Sequence, residues 1–478
     1  MRISSVPLCS ANAERRTDIN DREDAQSNPW WRWRYLLYGL GVIVVLYGIY
    51  RGVLIWRVKA AIGRLERAGH VTTLEGLNGY YSEPSEGENA ADLYRRAFDA
   101  YVEGKDKTTG RSPRMPYINP AESRELGEPL SEETLRTSVR HLRANQTSLR
   151  LLHEAGDKAA CRFPVDYTEW PETSMPWLAG LRRGTRLLAL EAMVEAKRGN
   201  GKAAAEAVLS GLAASRLLRR EPTMSGQLLR IALTAVALDG LEEAMARARI
   251  PEPYLTAIRK ALAQASNTRG MRRGLEGSLA TGIAFRSRDE GLEKTFRSEL
   301  AWLTPEERKS RSMTLRWYGY RFSGAKELDT LVFLRATGQT FDWTRRLEPR
   351  PLADKLSGRS DDLPFYCVFS RGTHEMLGKY VREHLAEMAL IRCAGAGVAV
   401  ELWARDNGQV PEGLSDLVPD RLTAVSKDPY DGRPLRYGIT EEGCLVYSIG
   451  RNERDDGGVS LRRGGERDKS DFVFELKR

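Results

Sequence analysis

The sequence predicts a mainly α protein with three parts: an N-terminal transmembrane helix, a helical-bundle middle domain, and a small α+β C-terminal module of one helix plus a three-stranded antiparallel sheet. Three observations predict it. A long apolar run lies near the N-terminus, Ala- and Leu-rich segments of helical period fill the middle, and period-two alternation appears only over roughly the last 45 positions.

The apolar run, YLLYGLGVIVVLYGIYRGVLIW from Tyr35 to Trp56, carries one charge, Arg51. A hydrocarbon core about 30 Å thick needs about 20 helical residues, so the length matches one span. Trp30, Trp31 and Trp33 with Arg32 and Arg34 precede it, and Trp56, Arg57 and Lys59 follow, which are interfacial anchors at both ends. Residues 30–57 are therefore the transmembrane helix with its flanks. Residues 1–29 are polar, mixed in charge and without periodicity, the composition of a disordered tail. A polar stretch that long ahead of the apolar run argues against a cleaved signal peptide. The expected location is a bacterial inner membrane, single-pass, with the N-terminus cytoplasmic and the bulk of the chain external. Arginines and lysines nearly balance on the two sides, so charge alone does not set the orientation.

Residues 58–380 read as the helical domain. RVKAAIGRLERAG continues the membrane helix as an amphipathic segment, and NAADLYRRAFDAYVEG places Ala91, Tyr94, Ala97 and Phe98 at helical spacing. Prolines 113, 116, 120 and 129 make residues 105–130 an irregular excursion. Ser131 before Glu132 and Glu133 is a helix-start signal. Four helices follow with short turns. They cover MPWLAGLRRGTRLLALEAMVEAKRG, KAAAEAVLSGLAASRLLRREP, TMSGQLLRIALTAVALDGLEEAMARARI and about Tyr254 to Ala265, which is the pattern of antiparallel neighbours in a bundle.

Residues 384–478 form the C-terminal module. EHLAEMALIRCAGAGVAVELWARDNG spaces its apolar residues as a helix ending at Gly408, and the runs LRYGI, GCLVYSIG and DFVFEL read as strands. The order ARDNGQVPEGLSDLVP, DPYDGRPLRYG, CLVYSIG, DDGG resembles the C-terminal half of the major pseudopilin of type II secretion systems. That resemblance covers about 90 residues. It extends to uncharacterised bacterial envelope proteins that join such a module to a membrane-anchored helical region. A processed pseudopilin has a glutamate early in its membrane helix, whereas this apolar run has no acidic residue, and here about 330 residues separate span and module. The resemblance implies a reused module, not a fibre subunit.

It also implies a calcium loop. Residues 451–470, RNERDDGGVSLRRGGERDKS, lack apolar periodicity, and calcium collects six to eight oxygens from carboxylates, amides and carbonyls. By resemblance Asn452 and Asp471 stand at the family's first and last ligand positions, and Asp455 and Asp456 add charge by position. Arg451, Arg454, Arg462 and Arg463 oppose a cation there, and the spacing does not follow the EF-hand.

The motifs of other chemistries are missing, which leaves enzymology only to residues scattered in the sequence. There is no G-x-S-x-G, phosphate-cradling loop, dinucleotide fingerprint or C-x-x-C, and His374–Glu375 lacks the second histidine of a zinc helix. Cys161, Cys367, Cys393 and Cys444 follow the span and allow three pairings, none forced. Lys and Arg exceed Asp and Glu by 74 to 65, but the signs are interspersed, so no nucleic-acid surface is expected. The expected function is a membrane-anchored envelope protein for protein contacts, non-enzymatic. The alternatives are an envelope enzyme with a site in the helical domain and a peptide-binding helical scaffold.

Overall fold

The computed structural model describes residues 29–80, 82–85, 87–104, 114–118, 126–170, 173–266, 269–288, 292–296, 311–346, 363–459 and 470–477. The expected tail lies outside the described residues almost entirely, as do parts of the excursion at 105–130, whose described residues carry turns and no helix.

Helix α1, Pro29–Arg67, runs unbroken through the apolar segment and its amphipathic continuation. The chain divides into two compact units, one ending at Val53 and one running from Leu54 to the C-terminus. In the first unit the apolar side chains are exposed on every face of the helix, Leu36 at 63%, Ile43 at 63%, Val45 at 60% and Ile49 at 59%. One helix here is long and apolar enough to cross a membrane. From Leu54 onward the same helix acquires a buried face. Leu54 and Ala61 are buried, and Val58, Ile62 and Leu65 pack beside Met271, Leu275 and Phe333.

The second unit is built from helices whose ends are set locally. Helix α2 (Leu74–Asn78) begins at the Thr73 cap. Asn89 caps α3 (Ala90–Asp99) by accepting from Ala91 N–H at 3.1 Å, while the same side chain bonds Arg162 N–H and C=O, so the NAADLY start is pinned to a distant segment. Ser131 caps α4 (Glu132–Ala144) through Thr134 N–H as its sequence predicts, and α5 (Gln146–Gly156) follows at once. The bundle centre is α6 (Trp177–Lys197), α7 (Gly201–Leu217) and α8 (Met224–Arg247), with α9 (Glu252–Ala265) and α10 (Arg269–Ser287) beside it. Leu187, Leu188, Leu190 and Met193 of α6 are at most 1% exposed, so truncating any one costs about 2–5 kcal/mol. Helices α11 (Arg311–Phe322) and α12 (Ala325–Arg346) lead to α13 (Val368–Asn407).

Helix α13 is 40 residues long, and Gly408, at φ +75, closes it in the left-handed conformation its sequence signals. The expected start near His384 is placed too late. No proline interrupts 368–384, Phe369, Leu377, Tyr380 and Val381 are buried at helical spacing, and Asp329 caps the true start by accepting from Phe369 and Ser370 N–H at 3.0 Å each. The boundary drawn between 380 and 384 therefore falls inside a continuous helix.

Strands β1 (Arg436–Thr440), β2 (Gly443–Ser448) and β3 (Phe472–Lys477) form an antiparallel sheet of order β1-β2-β3, with Tyr437 opposite Val446 and Val446 opposite Phe474. The sheet shares one core with the bundle. Val446, Phe474 and Leu476 join Leu238 and Leu241 of α8, Leu255 and Ile258 of α9, and Val398 and Leu402 of α13. Phe474 lies so close to α13 that a Cβ on Gly397 would meet its ring at 2.3 Å. Cys161, Cys367, Cys393 and Cys444 are buried.

Candidate functional site

The C-terminal corner is built on Asp428 of the DPYDGRP turn, which is 1% exposed. Its Oδ1 accepts from Tyr430 N–H at 2.9 Å and Ser448 Oγ at 2.8 Å, and its Oδ2 accepts from Ile449 N–H at 3.0 Å and Arg436 Nη1 at 2.7 Å. One carboxylate thus ties the turn to the end of β2 and to β1. The Arg436 guanidinium also reaches Asp431, and its Nε donates to Asp455 Oδ2 at 3.4 Å. Arg436 is consequently the positive centre of three carboxylates.

The structure gathers the four loop residues beside this corner. Asn452 Nδ2 donates to Asp456 Oδ2 at 2.7 Å, and Asn452 Oδ1 accepts from Arg454 N–H. Asp455 Oδ1 accepts from Gly457 N–H at 3.1 Å. Asp471 is buried, and its Oδ2 accepts from Gly458 N–H at 2.8 Å. Burial raises the Asp471 carboxyl above the usual range, and the charges of Asp456 and Asp455 add to that against two backbone hydrogen bonds.

Among the described residues these side chains are engaged with one another and with Arg436. Asp455 faces a guanidinium, the Asn452 amide turns its nitrogen toward Asp456, and among the described residues no group of three or more His, Cys, Asp or Glu is placed to hold a metal. Residues 460–469 of the loop lie outside the described residues.

Sequence reasoning missed two buried polar clusters and one half-buried one, because their members are brought together from separate helices. At the α8–α13 junction Arg230 donates through both Nη atoms to Glu387 at 2.5 Å each, Thr234 adds a bond at 3.1 Å, and His384 Nδ1 stands 3.2 Å from Glu387. Burial works against the Glu387 charge, but Arg230 and His384 outweigh it and hold the carboxyl well below the usual range. Asp329, fully buried, accepts from Tyr320 Oη at 2.9 Å and caps α13. His153 bridges Ser210 Oγ at 2.8 Å and Glu191 Oε2 at 2.9 Å, joining α5, α7 and α6. Burial lowers the His153 ring, but the hydrogen bond and charge of Glu191 exceed it, and the net shift is upward.

The Ser210–His153–Glu191 order imitates a hydrolytic relay. It lacks the rest of one. Ser210 sits mid-helix, donates its hydroxyl to Glu206 C=O at 3.0 Å, and is surrounded by N–H groups engaged within α7 rather than aimed at a substrate oxygen. The cluster cross-links three helices. His374, flagged by its HE pair, likewise bonds Ser370 C=O at 2.7 Å within its own helix.

Fold and clusters together define a class: a chain with one helix long and apolar enough to cross a membrane, and a helical body closed by a three-stranded sheet. Compared with protein-family models, curated proteins and solved structures, the chain gives no match.

Proposed function

We propose that the chain is a single-pass protein of a bacterial inner membrane, N-terminus cytoplasmic and body external, that acts as a non-enzymatic interaction or structural protein. One observation carries this reading: the apolar side chains of 35–53 are exposed on all faces of α1, an arrangement that water penalises and hydrocarbon favours. The chemistry-bearing side chains of the body support its non-enzymatic part, since Arg230, Glu387, His153 and Asp329 are engaged in joining helices.

Cys444 is buried and so is a poor topology reporter. Glu412 is exposed, and a Glu412→Cys variant in a Cys9→Ser background is the better probe. An impermeant maleimide is expected to label it in spheroplasts without lysis; labelling only after lysis would place the body inside and overturn the orientation. Partners are read by light crosslinking, affinity purification from native membranes and mass spectrometry. Recovery of secretion or pilus-assembly components supports a role beside that machinery.

An envelope enzyme with a site in the helical domain is the alternative, and labelling of Ser210 by a fluorophosphonate probe would establish it.

A further inference from the structure

A cavity of about 410 Å³ lies in the body between the last turns of α1 and helix α12. Each helix lines it with one stripe at helical spacing, Arg57, Ala60, Arg64 and Leu65 on α1, and Leu331, Leu334, Arg335 and Gly338 on α12. The hollow exists because small residues stand where packing side chains would meet. Ala60 fills little, and a Cβ added to Gly338 would come within 3.3 Å of Leu65 Cδ2.

The lining has two characters. Leu65, Leu331 and Leu334 give it an apolar floor, and Arg57, Arg64 and Arg335 stand exposed at its rim. Among the described residues these three arginines make no ion pair, unlike Arg230, Arg247 and Arg405 elsewhere in the body. Arg57 and Arg64 are seven residues apart and share a helix face. Three like charges around an apolar hollow are complementary to one kind of molecule, an anion with an apolar part.

Its place along α1 says which. Trp56 closes the apolar run and lines the cavity, and Arg64 lies about 12 Å farther along the axis, so the rim spans the headgroup layer and the water beyond it. Basic pockets at that depth take lipid headgroups. We infer that this cavity binds an anionic glycerophospholipid, its phosphate held by Arg57, Arg64 and Arg335 and the start of an acyl chain on Leu331 and Leu334, with Leu65 closing the water-side end of the hollow. The inference rests on the membrane-anchor reading.

The test is a thermal melt of the full chain in neutral detergent micelles with phosphatidylglycerol, zwitterionic phosphatidylcholine or glycerol 1-phosphate. Phosphatidylglycerol is expected to raise the midpoint by about 2–5 °C when about a hundredfold above its Kd, and the other two to leave it in place. The rise is lost in Arg57→Gln/Arg64→Gln/Arg335→Gln, whose exposed positions leave the fold intact, and in Gly338→Leu, which fills the hollow. An equal rise from phosphatidylcholine or from glycerol 1-phosphate, or a rise kept in the arginine variant, overturns the site. Carbonate extraction of native membranes separates the two readings. A chain that stays in the washed membrane but shows no selective rise overturns the lipid site alone, and a chain released by carbonate overturns the anchor.

Discussion

The body contains two arginine–carboxylate junctions of opposite design. Arg230 and Glu387 are 157 residues apart, their side chains are 5% and 2% exposed, and they lock α8 to α13 in a buried interface. Arg436 and Asp428 are eight residues apart, Arg436 is 17% exposed, and the guanidinium fans out to Asp431 and to the half-exposed Asp455. The first joins distant elements through one bidentate ion pair, with Thr234 and His384 beside Glu387. The second organises a local corner and shares its charge among three. Charge pairs therefore do different work according to burial, because water screens the outer fan and leaves the inner pair fully felt.

Breaking the inner junction is expected to have the largest effect. Glu387→Gln leaves Arg230 charged without its counter-ion and should cost about 3–5 kcal/mol by urea denaturation, whereas Arg230→Met/Glu387→Leu should fold near wild-type stability. A double variant as unstable as the single one would show that shape, not charge, makes the junction. The same pair gives an acid limb. Because the folded Glu387 carboxyl is held below its unfolded value of about 4.3, its contribution is present above that pH and lost as pH falls through the folded value.

Asp428→Asn at the outer junction keeps the shape but weakens the acceptors of four hydrogen bonds, and a loss of about 2–3 kcal/mol is expected. A smaller, opposite-signed effect comes from Glu242, which accepts from Glu475 N–H at 2.8 Å where α8 meets β3. Burial, with Glu475 and Glu243 nearby, pushes its carboxyl up to about 8. Its folded value is raised, so stability is full below about pH 4.3 and declines as pH rises toward 8. Glu242→Gln should flatten that decline in melts between pH 5 and 8.

The smallest effects belong to the rim. Asp455→Asn should cost under about 1 kcal/mol, since Arg436 keeps two other carboxylates. Calcium against chelator should move the melting midpoint by less than about 1 °C, because a guanidinium already faces the carboxylates a cation would bridge. A larger calcium shift would mean that residues 460–469 complete a cage.

The same contrast decides what the sequence reveals. Features made by neighbours are legible: the Ser131 cap, the turn at Gly199-Asn200-Gly201 between α6 and α7, the Gly408 stop and all three strands come where local chemistry predicts them. Features made across the chain are not. Glu387 reads as one more acid on a helix until Arg230 is brought to it, and the start of α13 is hidden because its cap, Asp329, comes from another helix. In the loop, Arg436, which faces Asp455, sits in a strand and stands apart from the Asp/Gly run in the chain.

The shared core of sheet and bundle also sets a timetable for synthesis. The face of α8 that meets β3 is made when about half the chain has emerged, and the strand that covers it follows α13. At about 5–20 residues per second, the roughly 210 residues between Leu262 and Leu476 take about 10–40 s to appear. During that interval the nascent body carries an apolar strip of α8 without the strand that closes it. A holding factor would find its substrate there, and a chain released before β3 would keep that strip open for good.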